Sequence, residues 1–176
     1  MSIELIEHSS SSYAPRTFVN AKRADLTIAV AINYHTGGEK LTEKAAHGKY
    51  LALPFEEEWL LNGRRLYVRC VKDQVKTLNV AGNGIYTFAK HGITQDVVNE
   101  YVYRLLQIVH HHHPLTHLVS GGQTGADLAG AVAAYKLGIP ATICFPKGYL
   151  QRNKNGMDHT NDPADLMRQI EEYARD

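Results

Sequence analysis

Cysteine is scarce in this chain, and its scarcity excludes disulfide-stapled and cysteine-ligated metal proteins. The 176 residues contain only two cysteines, Cys70 and Cys144. Two cysteines so far apart supply neither a disulfide framework nor the paired spacing of a metal site. We therefore expect a reducing compartment, the cytoplasm, or the host cytoplasm if the protein is viral. Cys144 lies in the apolar run TICF and is predicted to be a buried small side chain.

Long apolar runs and an excess of one charge are also missing. No run approaches the roughly 20 apolar residues of a membrane span. The N-terminal sequence MSIELIEHSSSSY has no basic stretch followed by an apolar one, so we expect neither a signal peptide nor a membrane partner. The formal net charge is only +1, which argues against a strongly basic surface for nucleic acid. With 44% hydrophobic residues, the chain has enough apolar side chains for a normal core.

What the chain does contain is a series of short apolar runs separated by loops rich in glycine or proline. Continuous apolarity, rather than alternation, predicts strands that are buried on both faces. Segments with helical spacing lie between the runs. This pattern predicts one Rossmann-like α/β domain over residues 1–176, with a mainly parallel sheet of about five strands and helices on both faces. The predicted strands are 26–32, 50–54, 77–81, 115–120 and 139–146, and the predicted helices are 39–47, 95–109, 125–137 and 162–174.

Two segments do not follow the alternation. Residues 55–76 are charged, hold the only tryptophan (Trp59), and include the run LYVRCV, which is compatible with an edge strand. We interpret them as a small insertion or a β-ribbon. The serine run at 9–12 predicts a flexible loop.

The strongest functional signal is the sequence SGGQTGAD at 120–127, which follows a predicted strand and opens a helix. Ligands of parallel sheets bind at the carboxyl ends of the strands. Glycines there let the backbone approach a phosphate, and free N–H groups with the helix dipole favour an anion. Asp127 is placed to cap the helix or to contact a ribose hydroxyl. The alternative is a tight turn without a ligand. The candidate ligand-binding residues are Gly121, Gly122, Gln123, Thr124, Gly125 and Asp127.

Three further segments, at 36–38, 82–83 and 147, follow predicted strands at the same edge of the sheet. Thr36, Gly37 and Gly38 follow the first strand, and Gly82 and Asn83 follow the strand at 77–81. Both sets predict ligand-binding loops, and both are also compatible with simple turns.

Lys147, in the sequence PKG after the last strand, is placed to meet a phosphate or to be solvated. The histidine tract at 110–113 is predicted to be the solvated end of a helix rather than a metal site.

At these residues the chain resembles a known family. SGGQTGAD followed by AYKLGIPATICFPKG is similar to the opening of a molybdenum-carrier family in the SLOG superfamily, whose relatives include the LOG nucleotide hydrolases and DprA. The pieces that close the family pattern resemble the N-terminal part of this chain, Tyr13-Ala14-Pro15-Arg16-Thr17 with Asn20, and then Thr36-Gly37-Gly38. The order is therefore exchanged, as in a circular permutation, with 55–114 joining the old ends. The matching pieces cover somewhat over half of the chain.

The resemblance implies a Rossmann-like sheet and a nucleotide-type ligand on two glycine loops, 121–125 and 36–38. By position it also implies that Arg16 and Asn20 lie near the pocket rim. The family label implies molybdenum cofactor carriage as an alternative function. The LOG enzymes use a glutamate in the pattern PGGxGTxxE for N-glycosidic cleavage, and Glu39 and Glu43 are the nearest candidates here, at a different spacing.

Two classes of function remain open, binding and hydrolysis. The first is binding of an ADP-ribose-like or other phosphate-containing nucleotide, as a sensor or as a phage-encoded sponge of a nucleotide signal. The second is hydrolysis of an N-glycosidic or phosphate bond, with Glu39, Glu43, Asp127 or Asp25 as acid or base. A nucleic-acid binder, by analogy with DprA, is disfavoured by the near-neutral charge. No metal or other certain cofactor is predicted, and a homo-oligomer is left open.

Overall fold

A six-stranded sheet runs through the centre of the computed structural model, which describes residues 2–175. The strands are β1 (Ile3–Glu7), β2 (Leu26–Ala31), β3 (Tyr50–Pro54), β4 (Thr77–Gly82), β5 (His117–Ser120) and β6 (Ala141–Phe145). They lie in the order β1-β6-β5-β4-β2-β3, and every neighbouring pair is parallel. The predicted α/β fold with a parallel sheet is therefore confirmed.

The described part of the chain also contains seven helices and one short hairpin. The helices are α1 (Tyr13–Lys22), α2 (Gly37–Ala46), α3 (Trp59–Lys72), α4 (Ile85–Ala89), α5 (Gln95–His112), α6 (Ala126–Leu137) and α7 (Pro163–Ala174). The hairpin consists of β7 (Gln151–Arg152) and β8 (Asp158–His159), which pair antiparallel. Asp162 caps α7 by accepting from the Ala164 N–H, and Pro163 opens the helix, as the sequence predicts.

The two faces of the sheet are covered differently. Neighbouring residues of a strand point to opposite faces. Val80 of β4 meets Gly130 of α6, whereas Asn79 lines a cavity together with residues of α1 and α2. The helices α3, α5, α6 and α7 pack on one another in that order on the first face, and α1 packs on α2 on the second. Most of the apolar core therefore lies on the α6 side.

The strand order reverses in the middle of the sheet. From β2 the chain passes outward to β3, then returns through α3 to β4 on the other side of β2, and continues to β5 and β6. A crevice opens at the carboxyl ends of two strands where the order reverses in this way. The sheet topology therefore predicts a crevice beyond the ends of β2 and β4.

The structure corrects the predicted elements in three places. The sheet has six strands rather than about five, because β1 is an additional edge strand whose short sequence IELIE is only partly buried. The β-ribbon or insertion predicted for 55–76 is wrong, since α3 fills most of that segment and forms an ordinary crossover between β3 and β4. Its buried residues recur at helical spacing, as Asn62, Leu66 and Cys70. The sequence analysis also did not predict α1, which directly follows the serine run at 9–12.

Both cysteines are free and buried. Cys144 is 2% exposed, which confirms the prediction that it is a core side chain, and burial raises the pKa of its thiol. Within residues 2–175, no helix combines the length and the apolarity that crossing a bilayer requires.

Candidate functional site

A cavity of about 380 Å³ opens at the carboxyl edge of the sheet. Its wall comes from α1, the first turn of α2, the end of β4 with the start of α4, the β5–α6 loop, and Arg152 of the hairpin. The volume lies within the range of small-molecule pockets, about 300–1,000 Å³. The predicted ligand residues that line it are Arg16, Asn20, Gly37, Gly38, Gly82, Asn83, Gly121, Gln123, Thr124 and Asp127.

Four predicted ligand residues lie outside this lining. Thr36 is the N-cap of α2, and its hydroxyl oxygen accepts from the Glu39 N–H at 3.2 Å. Gly122 and Gly125 are buried in the β5–α6 loop. Lys147 is exposed, and its backbone N–H donates to the Ser10 carbonyl. Thr36, Gly122 and Gly125 thus shape the loops that face the cavity.

The backbone of the SGGQTGAD loop is largely hydrogen-bonded within the protein. The Gly122 N–H donates to Ser120 Oγ at 3.2 Å, and the Gly125 N–H donates to Gln95 Oε1 at 2.6 Å. The Ala126 N–H donates to the Asn83 carbonyl at 3.0 Å. A Cβ at Gly122 would overlap the Phe145 ring. Several of these glycines therefore serve close packing, and most of the N–H groups that the sequence suggests for phosphate already have partners.

The end of β4 is locked to the end of β2 by Asn83. Its side-chain oxygen accepts from the Ile32 and Asn33 N–H groups at 2.8 and 3.0 Å, and its Nδ2 donates to the Asn33 carbonyl at 2.9 Å. Gly82 has φ of +148°, and a Cβ there would overlap the Val30 carbonyl. The pair Gly82-Asn83 therefore holds the two strand ends together at the reversal of strand order.

The first turn of α2 has an open backbone. Gly37 and Gly38 are exposed and line the cavity, and an added Cβ at either would meet no atom within 4 Å. The first four N–H groups of a helix lack intrahelical partners, and here Thr36 caps only that of Glu39. The N–H groups of Gly37 and Gly38, at the positive end of the helix dipole, have no hydrogen-bond partner among the described residues.

A buried ion pair crosses the cavity wall between α1 and α6. Arg16 Nη1 lies 3.4 Å from Asp127 Oδ2, and both side chains are about 10% exposed. Burial raises the pKa of Asp127, whereas Arg16 and the Gln123 N–H lower it. Gly121 leaves the space for this pair, because a Cβ there would overlap the guanidinium. Asp127 is therefore an ion-pair partner of Arg16.

Two asparagines line the cavity on its sheet side. Asn20 of α1 is 2% exposed, and its Nδ2 donates to the Cys144 carbonyl at 3.5 Å. Asn79 of β4 is 4% exposed, and its Nδ2 donates to Thr27 Oγ1 at 3.2 Å. The oxygens of both side chains, and the Arg16 Nε–H, have no hydrogen-bond partner within the described residues. Asn20 and Arg16 thus lie deep in the wall rather than at the rim that the resemblance implies.

Glu39 is a buried acid next to the cavity. It is 3% exposed, its Oε1 lies 3.5 Å from Asn83 Nδ2, and its Oε2 is without a partner in residues 2–175. Burial, with a contribution from Asp127, raises the pKa of Glu39 to about 8. Its carboxyl is therefore mostly protonated at neutral pH. Of the other predicted acids, Glu43 is exposed, and Asp25 accepts from the Thr77 N–H at the amino end of β4, away from the cavity.

The β7–β8 hairpin closes one side of the cavity. Arg152 pairs with Asp158 at 2.9 Å, and its guanidinium lies 5.1 Å from the centre of the Tyr13 ring. The Tyr13 hydroxyl donates to Asp158 at 2.8 Å, and burial together with this bond raises its pKa to about 12. The side chain of Gln123 attaches this segment to the β5–α6 loop through the Leu150 carbonyl.

Sequence reasoning missed several cavity residues, among them Tyr13, Asn79, Tyr86 and Arg152. Tyr13 was quoted only as part of the family pattern. Asn79 interrupts an otherwise apolar strand, and that interruption is a usable signal, because a central strand seldom buries an amide without a partner. No local pattern marks Tyr86 or Arg152, which reach the cavity through tertiary structure.

Neither metal-binding side-chain clusters nor similar proteins add an assignment. Among residues 2–175, no three His, Cys, Asp or Glu side chains form a group that could hold a metal ion. In the histidine tract, His110 Nδ1 accepts from the Leu115 N–H and His113 contacts the Val75 carbonyl. No family model, no curated protein and no solved structure matches this chain.

Proposed function

We propose that this protein binds a nucleotide-derived ligand in the cavity, with a phosphate on the N-terminus of α2. One observation carries the proposal: Gly37 and Gly38 present an open backbone, whose own N–H groups Thr36 does not cap, to the cavity beside the reversal of strand order. Backbone N–H groups at a helix N-terminus are a recurrent phosphate site. The β5–α6 loop, whose backbone is mostly engaged internally, then acts as the opposite wall. An ADP-ribose-like ligand would place its anionic phosphates on the N-terminus of α2 and its neutral part against the β5–α6 loop.

Binding without turnover makes the protein a sensor or a sponge of a nucleotide signal. The resemblance of its loops to a permuted SLOG domain favours the same ligand class and is part of the proposal. The test begins with the protein as purified from its expression host, denatured and analysed by mass spectrometry for released small molecules. Calorimetry with AMP and ADP-ribose follows on ligand-free protein. Saturable binding of either is the expected result, and no heat at high protein concentration with both would refute the proposal.

A hydrolase is the second candidate, and Glu39 is the observation that favours it. A carboxyl held protonated near pH 7 can donate a proton to a leaving group, and buried acids with a raised pKa concentrate at active sites. Glu39 contacts the cavity through Asn83. In this alternative the neutral carboxyl protonates the departing base or alcohol as a bound nucleotide is hydrolysed.

The two functions are separated by product analysis. Wild-type protein is incubated with AMP, ADP-ribose and NAD, and the mixture is followed by liquid chromatography. Release of free base or phosphate that disappears in Glu39→Gln and persists in Glu43→Gln would establish the hydrolase. Glu43 is the matched control because it lies one turn further along α2 and is exposed. Intact substrates after long incubation would eliminate this candidate and leave binding.

A further inference from the structure

An apolar patch covers the outer surface of α3, away from the cavity. Within residues 2–175, seven large apolar side chains are exposed, and four of them form this patch: Leu60, Leu61, Val68 and Val71, which are 42–64% exposed. With about 3.6 residues per turn, the four fall within an arc of about 100°, on the side of the helix opposite its buried residues. Single apolar residues are common on a protein surface, whereas a continuous patch marks an interaction site.

Charges of opposite sign lie at the two ends of the α3 patch. Glu56, Glu57 and Glu58 directly precede the helix, whereas Arg64 lies in its middle and Lys72 is its last residue. All five side chains are exposed, and none of them forms an ion pair within residues 2–175. The outer surface of α3 is therefore acidic where the helix begins and basic where it ends.

The sheet edge next to this helix is closed to a partner strand. The Lys49 carbonyl bonds to β2, so the alternate carbonyls of Tyr50 and Ala52 in β3 point outward. Arg69 of α3 donates to the Tyr50 carbonyl and Arg65 donates to the Ala52 carbonyl, each at 3.4 Å. A further strand could pair here only by displacing both guanidinium groups. A partner on this side of the protein therefore meets the helix rather than the edge of the sheet.

We propose that the α3 patch binds the same patch of a second copy of this chain, so that two α3 helices lie antiparallel across a two-fold axis. A two-fold interface uses one surface on both copies, and that surface has to be self-complementary. Antiparallel pairing sets the acidic end of each helix against Lys72 of the partner subunit. Parallel pairing sets like charges against each other at both ends. The opposite charges at the ends of α3 therefore favour the antiparallel arrangement, with a second copy as the occupant.

The apolar residues also match in this arrangement. When two 14-residue helices overlap fully, residue 61 of one copy lies level with residue 70 of the other. Leu61 then packs between Val68 and Val71 of the partner subunit, and the same contact recurs on the other side of the axis. Arg64 lies near the axis, where its aliphatic stem extends the apolar surface while the two guanidinium groups repel each other. A single helix pair buries less than the roughly 800 Å² per partner of a standard interface, so we expect a weak dimer with a Kd on the order of 10–100 µM.

The first test measures the oligomeric state of the full chain by sedimentation equilibrium, at concentrations from about 5 to 500 µM around the expected Kd. Wild type should pass from monomer to dimer over this range, and Val68→Asp should remain monomeric. Met157→Asp is the matched control, because Met157 is also 56% exposed but lies in the turn of the β7–β8 hairpin. It should dimerise like wild type. A monomeric wild type at every concentration, or a dimer that Val68→Asp leaves intact, would overturn the proposal. If Val68→Asp does not fold, the concentration dependence of wild type decides alone.

A charge exchange tests the orientation of the two helices. Lys72→Glu replaces attraction by repulsion at both ends of an antiparallel pair, so the dimer should weaken by about fivefold or more. A second variant adds Glu56→Lys and Glu57→Lys to the same chain, which exchanges the signs of the two ends and should restore most of the wild-type affinity. In a parallel pair Lys72→Glu would only replace one like-charge contact by another. An unchanged Kd in Lys72→Glu, or no recovery in the exchanged variant, would therefore overturn the antiparallel arrangement.

Discussion

Replacing Gly38 by aspartate separates ligand binding from folding. Gly38 is the second residue of α2, its φ is not positive, and a Cβ meets no atom within 4 Å. The variant therefore adds a carboxylate at the cavity without disturbing a packed neighbour. A carboxylate in the first turn of a helix interacts favourably with the dipole by about 0.3–1 kcal/mol. Loss of a helical glycine adds only about 0.3 kcal/mol, because aspartate is itself a poor helix former. We expect the melting temperature of Gly38→Asp to equal or exceed that of wild type.

The same substitution should abolish binding of a phosphate on α2. Two unit negative charges about 5 Å apart repel by roughly 3 kcal/mol at an effective dielectric constant near 20. This corresponds to an affinity loss of about a hundredfold. Gly38→Asn has nearly the same shape without the charge, so it should lose much less. The contrast between the two variants isolates the electrostatic effect from steric blocking.

Calorimetry with AMP or ADP-ribose measures the loss, and differential scanning calorimetry confirms that both variants are folded. Raising the salt concentration should recover part of the affinity in Gly38→Asp, because screening weakens the repulsion. Wild-type affinity in the aspartate variant would refute the placement of the phosphate on α2. A comparable loss in Gly38→Asn would show that bulk alone excludes the ligand.

Three further predictions concern residues in or next to the cavity wall. Gly122→Ala should destabilise the fold by about 2 kcal/mol or more in urea titration, because φ is +73° and the methyl overlaps Phe145. Burial raises the pKa of Glu39 to about 8 from an ordinary 4.5. The carboxyl therefore ionises at lower pH in the unfolded chain than in the folded protein, and the free energy of unfolding of wild type falls as the pH rises from 4.5 to about 8. Glu39→Gln should therefore stabilise the protein at pH 8, by an amount on the order of 4 kcal/mol, and hardly at pH 5; an equal effect at both would contradict the assignment. Arg16→Met should cost about 3 kcal/mol in the same assay by leaving Asp127 unpaired, and Arg16→Met with Asp127→Leu should recover most of it.

Physical reasons explain why the central strands were predicted correctly and why the helix α1 was not predicted. Central strands are apolar on both faces, and β2, all of whose residues are buried, is visible as a continuous run. The helix α1 escaped because its buried side chains include Arg16 and Asn20 rather than apolar residues. Hydrophobic periodicity detects helices that pack through apolar side chains. A helix that turns polar groups toward a cavity does not produce that signal.

The loops at 36–38 and 121–125 both contribute to the cavity wall, but their glycines have different tasks. Gly38 faces open space, whereas Gly122 and Gly125 pack against neighbours that would overlap a Cβ. Sequence alone gives the same weight to each, because a glycine needed for a ligand and one needed for packing look identical without their tertiary neighbours. The difference depends on Phe145, the last residue of β6, and on Asn83, which directly follows β4.

Most of the polar groups whose burial costs free energy lie at or beside the cavity. The uncompensated oxygens of Asn20 and Asn79, the protonated acid of Glu39 and the buried pair of Arg16 with Asp127 all lie at or beside the cavity. The opposite side of the sheet, toward α6, is packed mainly with apolar side chains, and Asn99 of α5 is a buried residue there with a free amide nitrogen. Folding alone favours filling the first face in the same way. Local departures of this kind are expected where function requires polar groups, so the uneven distribution is itself an argument that the cavity is a binding site.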